Sequence, residues 1–253
     1  MPIARSHGYK IAFEVIGDGP PLVLHPGMFQ IGAHWTEAGY TSALAATHTV
    51  ITVDPLGLGN SDGPREPADY ALERRIDYVT AVLDEVGADR AAYWGYSLGA
   101  LTGFAIAVHA PERLACPVAG AFDPIDGCGS ALALLRNQLG LPEDADVYPL
   151  IVQGSIADPA LAAVIEAADP AALRANYAAF ATEPGLHDRL AESPVPMLLY
   201  AGTDDIWHQP MRTFAEQTGT QFFSIPDHDH ITAWRNATEV LPRVRPFLVG
   251  DPG

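Results

Sequence analysis

Cysteine is scarce. Cys116 and Cys128 are the only two in 253 residues. Two thiols without paired spacing exclude a disulfide framework and give no zinc-type motif. Reduced thiols, and with them a cytoplasmic location, are expected. Long apolar runs are missing too. None approaches the roughly 20 residues of a membrane span, and the opening MPIARSHGYK lacks the apolar stretch of a secretory signal. Cations are few: 14 Lys and Arg stand against 31 Asp and Glu, a formal net charge of −17. Such a surface repels phosphate backbones and anionic lipid, so neither nucleic acid nor a membrane is an expected partner. No Gly-x-Gly-x-x-Gly follows the first strand, and Gly57-Leu58-Gly59 is a lone short match. A dinucleotide cofactor is therefore not expected.

What is present suits one large domain with a substantial core, since 48% of the residues are hydrophobic. Strand-like runs lie at Lys10 to Ile16, Leu22 to Leu24, Thr49 to Val53, Ala91 to Trp94, Leu114 to Phe122, Met197 to Tyr200 and Gln221 to Ile225. Helical spacing runs through Leu72, Ile76, Val79, Val82, Leu83 and Val86, again from Leu98 to His109, and from Ile231 to Leu248. Pro242 and Pro246 are expected to break or kink the last of these. Buried strands alternating with helices predict an α/β fold with a mainly parallel sheet covered on both faces. Ligand chemistry in such sheets sits at the carboxyl ends of the strands. The rhythm stops at residues 126–193, which hold alanine-rich helical pieces, two of them opened by Asp158-Pro159 and Asp169-Pro170. The chain is thus expected to divide into a core of residues 1–125 and 194–253 and a helical insertion of residues 126–193.

Gly95-Tyr96-Ser97-Leu98-Gly99 raises the question of a nucleophile. The same template recurs at Gly59-Asn60-Ser61-Asp62-Gly63, so context must decide between them. Ser97 follows a strand and opens a helix across a tight turn whose crowding favours glycine at Gly95 and Gly99. The turn lifts its hydroxyl above the sheet at a helix N-terminus, with the Leu98 amide facing the same space. Ser61 sits in a loop dense in Gly, Asp and Pro, and is expected to be structural. A serine needs a base, and the base needs a carboxylate to fix its tautomer.

Five segments in order, HPGMF (His25 to Phe29), DPLGLGNSDGP (Asp54 to Pro64), GYSLG, AGTDD and DHDH, make nearly the whole chain resemble the α/β-hydrolase fold superfamily. The resemblance implies an eight-stranded type of sheet and a helical cap inserted after the sixth strand. It implies Ser97 as nucleophile and His230 as base, with His228 as competitor. It implies Asp205 as acid, with Asp204 and Asp123 as alternatives. The backbone amides of Leu98 and Met28 become the oxyanion donors. Pro26, between His25 and Gly27, departs from the family and leaves the second donor open by one residue. Leu56 and Ile206 replace an arginine and a proline that are common there.

The activity implied is hydrolysis of a carboxylic ester or lactone through an acyl-enzyme, without cofactor or metal. The small-molecule substrate is expected to be neutral, small to medium and fairly apolar. Leu132, Leu135, Leu139, Leu141, Tyr148, Ile151, Val164, Tyr177 and Phe180 are candidates to line its pocket, beside ordinary helix packing. The same triad also fits carbon–carbon bond hydrolysis, acyl transfer or perhydrolysis, and a slowly turning ligand receptor is the alternative outside catalysis. A serine at the elbow excludes the aspartate-ester chemistry of the family's epoxide hydrolases and haloalkane dehalogenases.

Overall fold

The structure is a computed structural model and describes residues 1–250. Its strands are β1 (Ile3–Ser6), β2 (Tyr9–Ile16), β3 (Pro21–His25), β4 (Thr49–Val53), β5 (Ala91–Tyr96), β6 (Leu114–Gly120), β7 (Leu198–Gly202) and β8 (Gln221–Ile225). They form one sheet in the order β1-β2-β4-β3-β5-β6-β7-β8. The pairs β1–β2 and β2–β4 are antiparallel, and every other pair is parallel. The central strand β5 is buried at all six positions. That burial is why its sequence shows no alternation. The short edge strand β1 escapes the sequence reading, because four residues with only Ala4 buried carry no period.

The core helices are α1 (Gly32–Glu37), α2 (Tyr40–Leu44), α3 (Leu72–Glu85) and α4 (Leu98–His109). Between β6 and β7 come α5 (Cys128–Leu139), α6 (Tyr148–Ser155), α7 (Pro159–Ala167), α8 (Pro170–Ala181) and α9 (His187–Ala191). The chain then adds α10 (His208–Thr218), α11 (His230–Arg235) and α12 (Ala237–Val249). Helix α4 packs on β5 and β6, and every residue from Leu98 to Ala107 is buried. Both Asp-Pro pairs start helices as expected. Asp158 accepts from the amides of Ala160 and Leu161, and Asp169 from that of Ala171.

The end of the chain corrects one expectation. The break falls at Asn236, and α12 runs through Pro242 and Pro246. Asn236 ends α11 and accepts from the amide of Glu239, so its side chain starts a new helix. The two prolines stand one turn apart on the exposed face. The carbonyls they leave without a donor face water, which removes most of the penalty.

Candidate active site

The turn after β5 sets the geometry. Ser97 has φ 55° and ψ −114°, is buried, and caps α4. Its amide donates to the carbonyl of Gly120 at the end of β6 (2.8 Å). A Cβ on Gly95 would lie 2.2 Å from the carbonyl oxygen of Gly99, and one on Gly99 would lie 2.1 Å from that of His25. Backbone cannot step aside at such distances, so both glycines are required by close approach. Ser61, the other match, is spoken for. Its hydroxyl donates to the carbonyl of Asp54 (2.6 Å) and accepts from the amide of Ala12 (2.9 Å), tying its loop to β2.

The loop after β3 reaches the same place. Gly27 packs against Ser97, since a Cβ there would meet that of Ser97 at 3.2 Å. The Gly27 amide donates to Gln30 Oε1 (2.8 Å), whereas Met28 N has no protein acceptor among the described residues. Beneath the loop His25 is buried, and desolvation pulls its imidazole down to about 4. It is therefore neutral, with Nδ1 3.0 Å from the carbonyl of Pro26.

Of the three candidate carboxylates, one meets a histidine. Asp205, in the loop after β7, has a side chain wholly removed from solvent. Its Oδ2 lies 2.8 Å from His230 Nδ1, and its Oδ1 accepts from the amide of Trp207 (3.0 Å). Asp204 is exposed and touches the hydroxyl of Thr203. Asp123 is buried and accepts from the amides of Ile125 and Asp126 and from the Ser130 hydroxyl. Burial raises its carboxyl above the usual range.

His230 opens α11, whose start is fixed by a reciprocal cap between Asp229 and Thr232. His228 faces elsewhere, with Nδ1 donating to the carbonyl of Pro226 (2.6 Å) and Nε2 facing the Asn236 amide (3.1 Å). His208 binds the Ser224 hydroxyl (2.8 Å). Among the described residues no group of three or more His, Cys, Asp or Glu is arranged to hold a metal ion.

Two aromatic residues join the site unannounced by any motif. The Tyr96 hydroxyl donates to the carbonyl of His230 (2.6 Å), and the two rings lie 5.1 Å apart. Trp207 sets its ring edge-on to His230 at 5.0 Å. Their only sequence signal is adjacency: Tyr96 precedes Ser97, and Trp207 follows Asp205 by two.

Ser97, His230, Asp205 and Met28 all line one cavity of about 390 Å³. The inserted helices supply its apolar wall, including Leu132, Leu135, Ile151, Tyr177 and Phe180. Four expected lining residues do not take part. Leu139 is exposed, and Leu141 packs on the main core. Tyr148 and Val164 belong to a separate cluster with Phe29, Leu58 and Leu173. Helical spacing marks a buried face but not which neighbour buries it. Among the described residues no Lys or Arg lines the cavity, while Asp204 and Asp229 do. No helix there is long and apolar enough to cross a membrane.

A family model described as the alpha/beta hydrolase fold matches residues 20–121. The candidate carbamate hydrolase RutD of Azorhizobium caulinodans is 33% identical over 117 residues, 45% of this chain and 42% of that protein. The chain spans less than half the length of the curated relatives it matches. The esterase RhEst1 of Rhodococcus sp. ECU1013 is 25% identical, with a TM-score of 0.72 and 97% of both chains covered. The enol-lactonase of Burkholderia xenovorans LB400 is 20% identical, with a TM-score of 0.78 over 98% of this chain and all of that one.

Proposed function

We propose that the chain, whose fold is that of the α/β-hydrolases, is a serine hydrolase of neutral, small to medium carboxylic esters or lactones. Ser97 Oγ attacks the acyl carbon while His230 Nε2 takes its proton. Asp205 holds His230 in the tautomer that leaves Nε2 free to do so. The amides of Leu98 and Met28 receive the oxyanion. Leu98 N is an orphan donor at a helix start, and Met28 N has no acceptor among the described residues. His230 then protonates the leaving alkoxide and draws a proton from water, which cleaves the acyl-enzyme.

The observation that carries this reading is the Asp205–His230 pair beside the cavity that Ser97 also lines. The apolar wall and the lack of a lining cation favour an uncharged substrate over a carboxylate-bearing one. The names of the esterase and enol-lactonase neighbours agree with the ester or lactone class. Residues 126–193 act as the cap that shapes the pocket. A cytoplasmic location rests on Cys116 and Cys128 being unpaired.

The test is hydrolysis of short-chain p-nitrophenyl esters by the wild type and by Ser97→Ala, with fluorophosphonate labelling of both. Wild-type turnover and labelling that vanish in the variant are expected. Undiminished turnover in Ser97→Ala would sink the mechanism.

A further inference from the structure

Gln30 is buried, lines the cavity, and is not one of the triad or oxyanion groups. Its Oε1 accepts the Gly27 amide at 2.8 Å, and its own backbone N–H donates back to the Gly27 carbonyl at 3.2 Å. The four residues Gly27 to Gln30 are thus closed into a turn by two bonds between the same pair. A backbone N–H can only donate, so the orientation of the Gln30 amide is fixed. The turn needs that clamp. Phe29 sits at φ 61°, a left-handed conformation that costs a side-chain-bearing residue. Its ring is held below by Leu58, Val164 and Leu173.

The peptide carrying Met28 N lies between those two fixed points. With the Gly27 N–H occupied by Gln30 and the Gln30 N–H by Gly27, Met28 N and Phe29 N are the amides of this turn without a protein acceptor among the described residues, and Met28 N is the one next to the clamped Gly27. We propose that Gln30 is a positioning residue: it claims the Gly27 amide and so holds the Met28 amide where the oxyanion forms. The proposal rests on the serine-hydrolase reading above and names the part of that site which motif position left open.

The test compares wild type with Gln30→Met, which keeps side-chain length and loses the acceptor. The readouts are kcat and KM on p-nitrophenyl butyrate, the rate of Ser97 labelling by a fluorophosphonate, and the thermal midpoint. One oxyanion donor is worth about 10²–10³ in rate, and a misplacement of about 1 Å costs about 10². A fall of roughly 30- to 100-fold in both kcat and labelling rate, with KM nearly unchanged, is the expected result. A purely structural role would lower the midpoint without that split. If Gln30→Met does not fold, Gln30→Asn retains the amide but is one methylene short of Gly27, and it should show the same loss. A wild type that neither turns over nor labels would overturn the serine-hydrolase reading and this role with it. A wild type that labels, beside a folded variant that labels equally fast, would overturn the positioning role alone.

Discussion

Replacing Asp205 by asparagine should disable the enzyme while leaving its shape intact. The reason lies in the second bond of the carboxylate. Asp205 Oδ1 accepts from the amide of Trp207, which can only donate. An asparagine must therefore keep its oxygen on Trp207 and turn its NH₂ toward His230 Nδ1. Two donors cannot share that contact, so His230 must bare Nδ1 and carry its proton on Nε2. The nitrogen meant to receive the Ser97 proton is then already protonated. The same swap in another serine triad costs about 10⁴ in kcat, or about 5 kcal/mol at 1.36 kcal/mol per tenfold. Stability should change little, since both buried contacts remain paired. The assay is steady-state hydrolysis of p-nitrophenyl butyrate, with the thermal midpoint recorded for the same sample. A folded Asp205→Asn protein with kcat within about tenfold of wild type would refute the assignment of the acid. High turnover there, joined to a collapse in Asp123→Asn, would move the role to Asp123.

Two further predictions follow from the surroundings of His230 and of the elbow. Tyr96→Phe removes the hydroxyl that holds the His230 carbonyl. It should lower kcat about tenfold with KM unchanged, and lower stability by about 1 kcal/mol, read from paired kinetic and urea-denaturation measurements. His25 gives a pH dependence of stability. Its imidazole is held at about 4 by burial, against about 6.5 in the unfolded chain. Between those values the unfolded state binds the extra proton, so stability falls as pH drops from about 6.5 to about 4, by up to about 3 kcal/mol. His25→Asn should flatten that limb of the urea midpoint plotted against pH, and equal losses in both proteins would contradict the account.

The parts of the fold legible in the sequence are those fixed by local physics. Strands β3 to β7 announce themselves through buried runs, β2 and β8 through short apolar or alternating runs closed by Gly or Pro, and the elbow through its two crowded glycines. The proposed acid and base stand in the sequence in two neighbourhoods, Asp204 with Asp205 and His228 with His230. The family resemblance favours Asp205 and His230 within those pairs, and the physical contacts behind that preference appear only in the folded chain, such as the burial of Asp205 and the bond of His228 to Pro226. Tyr96 and Gln30 lie further out of reach. Tyr96 bonds to a carbonyl 134 residues away, and Gln30 matters because of where Gly27 points. Hydrophobic periodicity likewise offered nine cavity candidates and could not separate those facing the site from those facing Phe29 and Leu58.

The insertion does more than wall the cavity, because it also grips the helix that carries His230. Arg235, the last residue of α11, pairs with Asp158, the cap of α7, at 2.6 Å. Partial burial raises the Asp158 carboxyl, but the α7 amides and Arg235 outweigh it and leave it below the usual carboxylate range. A second tie joins Arg65 to Asp169, the cap of α8, at 2.7 Å. The third is buried: Arg75 reaches Asn176 Oδ1 at 2.7 Å, and desolvation lowers its guanidinium to about 10. The hydrogen bonds of Arg75 go only to neutral oxygens of Asn176, and its buried Nε has no partner among the described residues, so this cation is held at a cost and the seat of α8 is specific in geometry. Helix α11 is thereby braced from two sides, by Tyr96 of the elbow at His230 and by Asp158 of the insertion at Arg235. The apolar wall of the cavity and the helix that carries His230 are parts of one hydrogen-bonded frame.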